Sequence, residues 1–155
     1  MRQYLKSEAQ AALPLTHVAA LVTGDLLVIL SFVWIGRSSH HFPLDDIGAS
    51  LFTALPFMVG WFLIMPWFGL YSTEVSQNWR KVVPRLLIGW AIGGGVALVL
   101  RALLLERSIV SGIIPTFAAI SLGYIGLLAL VWRLGYCWWA QRNSGQAQDM
   151  GEARS

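Results

Sequence analysis

The stretch from Thr16 to Gly36 reads THVAALVTGDLLVILSFVWIG, and the architecture follows from it. It carries one charged side chain, Asp25, and at the usual helical rise it spans about 31 Å, the thickness of a bilayer's hydrocarbon core. Its apolar run is longer than the h-region of a secretory signal. The segment after it, Gly36-Arg37-Ser38-Ser39-His40-His41, has no small-residue cleavage site. The stretch therefore reads as a membrane span.

Three further runs have the same character. No charge occurs from Ile47 to Thr73, from Leu86 to Leu100 or from Ser108 to Trp132. The chain has 155 residues, 56% of them hydrophobic and 12% charged, about half the charged fraction usual in soluble domains. Open sheets and irregular backbone leave unpaired amides in hydrocarbon, whereas a helix of about 20 residues pairs its own. The predicted fold is all-α: an integral membrane bundle of four transmembrane helices over about 16–36, 47–70, 82–104 and 111–135. Residues 1–140 form one domain with an interfacial leader at its start. The polar stretch 141–155, rich in Gln, Gly, Ser and Ala, is expected to be a disordered cytoplasmic tail.

Four spans put both termini on one side. Arg2, Lys6, Arg80, Lys81, Arg85, Arg133, Arg142 and Arg154 share that side, against Arg37, Arg101 and Arg107 on the other. The bias predicts cytoplasmic termini and a multi-pass protein of the cell membrane. Trp67, Tyr71, Trp79, Trp132, Tyr136, Trp138 and Trp139 fall near the inner interface and Trp34 near the outer one, whereas Trp61 and Trp90 lie deeper, as packing residues. The net charge of +3 comes from scattered span-end cations and offers no basic stripe for nucleic acid. The single cysteine, Cys137, has no partner for an intrachain disulfide.

Read together, Asp25, Ile35-Gly36-Arg37-Ser38-Ser39-His40, Ala54-Leu55-Pro56-Phe57-Met58-Val59-Gly60-Trp61, Leu100-Arg101 and Trp132-Arg133 form an ordered set that resembles domain-of-unknown-function family 3054. This is a group of small prokaryotic four-span membrane proteins, and the similarity covers about Leu21 to Leu134. The Gly-Arg-x-Ser-His step is its most specific part. Leu55 stands where a Trp often precedes the family's proline, and His41 follows His40. The resemblance implies architecture and a membrane location, and no activity.

An ionisable group near a span centre is expensive, so Asp25 is the first functional candidate; the alternative is hydrogen-bonded glue between helices. By span centres, Asp25 lies level with Gly93 to Gly95, Gly123 and Tyr124. The Tyr124 hydroxyl is its nearest expected partner, with Arg101 within reach if the helices tilt. Arg101 ends a charge-free run of only about 22 Å, so it snorkels outward or turns to a polar interior. The loop with Arg37, Ser39 and His40, followed by Asp45 and Asp46, carries both signs but no recognised zinc spacing. His17 and His40 lie about 35 Å apart along one helix, too far to ligate one haem. No metal and no cofactor is expected.

Small residues recur at spacings of three and four: Gly112, Thr116, Ala119, Gly123, Gly126 and Ala129 in the fourth span, Gly89, Gly93 and Ala97 in the third, Ala20 and Gly24 in the first. With Gly60 at the centre of the second span, these are expected to be packing faces, and Gly93 and Gly123 to join spans three and four. Pro56 and Pro66 are expected to kink the second span, and Pro115 to sit harmlessly in a first turn.

Neither a nucleophile, a phosphate loop nor a paired acid and base is present, so no enzyme activity is expected. The reading favoured from the sequence is a small oligomeric permease or channel-like unit with Asp25 facing a shared polar interior. The alternative is an accessory or assembly subunit of a larger membrane complex. A lipid-acting enzyme using the Arg37 to Asp46 loop ranks third. The expected partners are the lipid bilayer and either further copies or other membrane subunits.

Overall fold

A computed structural model describes residues 14–105 and 113–152. The interfacial leader, Gly112 and the last three residues of the tail lie outside the described residues. Helix α1 is Leu15–Ser39, α2 is Ile47–Ile64, α3 the single turn Thr73–Ser76, α4 is Trp79–Leu104 and α5 is Pro115–Glu152. A 3-10 turn, Met65–Phe68, follows α2. Four segments, Leu15–Ser39, Ile47–Phe68, Trp79–Leu104 and Pro115–Asn143, are long and apolar enough to cross a membrane. The protein is a multi-pass membrane protein built as a helical bundle.

Helix boundaries follow local chemistry. Asp46 caps α2 by accepting from the Ala49 N–H at 2.9 Å, and Asn78 caps α4 by accepting from the Arg80 N–H at 3.1 Å. These caps satisfy amides that no helical carbonyl can reach. Pro115 opens α5, where its missing N–H costs nothing. Pro66 does not kink a continuing span: it lies in the first turn of the 3-10 segment, after the α-helix has ended at Ile64. Gly69, left-handed at φ 68°, then turns the chain back, and Leu70, Val75 and Ser76 are buried against the bundle. The second connection is thus folded under the helices.

The core runs along the axis. Phe32, Phe57, Trp61, Trp90, Leu86 and Ile125 pack together, while Leu27, Trp34, Leu63, Trp67, Ile88 and Leu127 point outward, as expected where the surroundings are lipid. The glycines select which helices meet. A Cβ on Gly60 would lie 2.2 Å from the Gly93 carbonyl oxygen, and one on Gly93 would lie 2.7 Å from the Gly60 carbonyl oxygen. So α2 and α4 touch backbone to backbone. Gly89 receives Met65 and Phe68, Gly24 receives the Trp132 indole, and Gly94 receives Leu122. Gly126 makes room for Trp90, whose indole N–H donates to the Leu122 carbonyl at 2.9 Å.

Two expectations are corrected here. Gly93 packs on α2, not α5, and a Cβ on Gly123 would meet nothing within 4 Å. The α4 to α5 contact is made by Gly94 and Gly126. Gly123 lies about 60° around the helix from Gly126, enough to turn it outward. Residues 141–152, expected to be disordered, continue α5 as helix. Extending an anchored helix needs no new nucleus, and Gln141 ties its exit by donating to the Gln77 carbonyl at 2.7 Å.

A buried ion pair as candidate functional site

Asp25 sits in the middle of α1, ten residues after Leu15, and its side chain is fully buried. Its Oδ1 accepts from Arg133 Nε at 3.1 Å. Its Oδ2 accepts from Arg133 Nη2 at 2.5 Å, from the Tyr71 hydroxyl at 2.6 Å and from the Trp61 indole N–H at 3.1 Å. The two-point contact matches the planar fork of a guanidinium to a carboxylate. Arg133 uses its remaining terminal nitrogen, Nη1, on the Leu70 carbonyl at 2.5 Å and stacks over the Tyr71 ring, its Cζ 4.7 Å from the centroid. The cluster draws on four elements: Asp25 from α1, Trp61 from α2, Arg133 from α5, and Leu70 and Tyr71 from the connection after the 3-10 turn.

Each contact satisfies something that would otherwise be unpaired. The Leu70 carbonyl lies in non-helical backbone, and such backbone is tolerated at membrane depth only where protein groups pair it. Arg133 does that for Leu70, and Arg85 donates to the Phe68 carbonyl at 3.4 Å in the same connection. Burial holds the Tyr71 phenol well above its ordinary range, and the neighbouring Asp25 charge adds to the effect. Tyr71 therefore remains a hydrogen-bond donor.

The expected partners of Asp25 are replaced. Tyr124 lies nearer the other end of the bundle, its hydroxyl 3.4 Å from Ser31 Oγ and its ring against Phe32. Arg101 also points away, its guanidinium 4.4 Å over the Phe117 ring. Arg133 and Tyr71, placed by sequence at the interface, turn inward. The signal that finds Arg133 is depth: it lies ten residues before Asn143, the end of the fourth apolar helix, as Asp25 lies ten after the start of the first. Ending that span at Gly135 hides the match.

The remaining candidates form a separate group around the 37–46 connection. Arg37 donates to the Pro43 carbonyl at 2.6 Å, Ser39 donates to the Ile35 carbonyl at 2.7 Å, and the His40 ring rests near Phe42. Arg37, His40 and Arg101 line one cavity of about 600 Å³ together with Phe32, Phe117 and Ile120. Among the described residues no three His, Cys, Asp or Glu side chains gather in a metal-binding group.

A family model described as a protein of unknown function, DUF3054, matches residues 22–136. The chain belongs to the DUF3054 family. The DUF3054 match contains Asp25, Trp61, Tyr71 and Arg133 as well as Arg37, His40 and Arg101, so both groups lie within the family domain. No curated protein and no solved structure matches the chain.

Proposed function

We infer that this cell-membrane protein is a non-enzymatic accessory or assembly subunit, with both termini on the cytoplasmic side. One observation carries the reading. The carboxylate in the middle of α1 accepts four hydrogen bonds from its own chain, two of them from Arg133. A group so occupied holds helices together and is not presented to a passing ion. Asp25 is also the only buried carboxylate among the described residues. That weighs against the permease favoured by the sequence, which needs Asp25 to face a shared aqueous interior.

What remains to act is the surface. Gly95 and Gly123 lie where an added Cβ would meet nothing, and another helix can approach closely at such positions. The orientation rests on the basic residues. Arg133 is buried in its ion pair and leaves the count, so eight against three becomes seven against three, and the bias keeps its direction.

Two measurements together decide between the readings. Protein extracted from its host membrane in mild detergent is expected to carry a stoichiometric second polypeptide by native mass spectrometry, and liposomes containing the chain alone are expected to show no ion or proton flux. A homo-oligomer whose flux disappears in Asp25→Asn supports the permease instead.

A further inference from the structure

At the end of the bundle away from the termini, three helix ends converge on one cavity of about 600 Å³. Arg37 comes from the last turn of α1, Arg101 from the last turn of α4, and Thr116 and Phe117 from the first turn of α5. This level, where apolar helices end, is the level of lipid headgroups. The described lining has two arginines and a histidine and contains no Asp or Glu. Its other half is apolar, with Phe32 and Val33 inside and Ile114 and Ile120 exposed toward the bundle's outer surface.

Arg37 is the telling residue. It spends Nη2 on the Pro43 carbonyl, while its Nε is buried and has no hydrogen-bond partner. A buried, unpaired donor on a permanent cation is costly unless an acceptor completes it. A guanidinium is well matched to a phosphate, which can take two parallel N–H bonds. The cavity volume lies in the range of small-ligand sites, and its polar and apolar halves match an amphiphile with a charged head.

We propose that this cavity binds the phosphate headgroup of an anionic membrane lipid, with Arg37 and Arg101 on the phosphate and the acyl chains passing out beside Ile114 and Ile120. The ligand chemistry is a phosphate monoester or diester bearing a net negative charge. The lipid is favoured over a free phosphate because the cavity opens through apolar side chains at bilayer depth.

Native mass spectrometry with short-chain phosphatidic acid, short-chain phosphatidylcholine and inorganic phosphate as separate probes tests the assignment. Phosphatidic acid is expected to bind in a 1:1 complex, at least tenfold tighter than phosphatidylcholine. Arg37→Gln and Arg101→Gln should each weaken it tenfold or more, whereas Arg80→Gln, at the opposite end, should not. Ile120→Trp, which narrows the cavity without changing charge, should also weaken it, so the test survives if an arginine variant fails to fold. Equal binding of the zwitterionic lipid, or binding insensitive to Arg37→Gln and Ile120→Trp alike, overturns the proposal. So does inorganic phosphate competing at the same concentration as phosphatidic acid, which would assign the site to a free anion.

Discussion

A buried Asp–Arg pair does not by itself make a protein stable, because stripping water from two charges costs about as much as their attraction returns. Its consequence is conditional: with both partners present the four elements around Asp25 are locked, and with one removed a charge is stranded. Tyr71 shows the residue-scale effect most cleanly. Tyr71→Phe keeps the ring under Arg133 and removes one hydroxyl donor to Asp25, so it should cost about 1.5–3 kcal/mol of unfolding free energy, the range for hydrogen bonds to charged groups. The phenol's pH dependence has a definite sign. Its value is raised in the folded protein, so its contribution is fully present below its ordinary value of 10.0. Above that pH the unfolded phenol ionises first, and stability falls as pH rises toward the folded value. Unfolding scans in detergent above pH 10 should show a steeper loss in the parent than in Tyr71→Phe.

At the scale of elements, helix existence was legible and helix neighbours were not. Long apolar runs with at most one internal charge specify spanning helices because a helix pairs its amides within the segment, and all four are present. Small-residue spacing shows where a helix can be approached but is silent on which helix arrives. Spacing therefore points Gly93 and Gly123 at each other, whereas Gly93 meets Gly60 and a Cβ on Gly123 would meet nothing within 4 Å. The same limit hid the partner of Asp25. Ending the fourth span at 135, eight residues before Asn143, places Arg133 at the interface and not at mid-depth, and Tyr71 lies in a connection that folds back inside, which no hydropathy run reveals. The contrast between two glycines tests the corrected packing. Gly60→Leu places a side chain against the Gly93 backbone and should destabilise by about 1–3 kcal/mol or more, as overpacking does. Gly123→Leu should melt within about 0.5 kcal/mol of the parent, as expected of an outward-facing site. Thermal denaturation of the two variants side by side in one detergent gives the comparison.

For the whole molecule, the four spans put the start of α1, the end of α5 and the 65–78 connection toward one end and the 40–46 connection at the other. A reporter active only outside the cytoplasm should be silent on the C-terminus and active when inserted between Ser38 and Asp46. The ion pair lies nearer the terminal end and the arginine-lined cavity at the opposite one, so the two can be tested independently. Asp25 and Arg133 form one intramolecular clamp, and a double-mutant cycle of unfolding free energy in detergent tests whether they act as a pair. Asp25→Leu and Arg133→Met should each cost about 3–5 kcal/mol, because each strands the other's charge. The double variant should cost no more than either single one, since it leaves no unpaired charge. Single-variant losses that simply add in the double variant would show that Asp25 and Arg133 act apart, and would contradict the account.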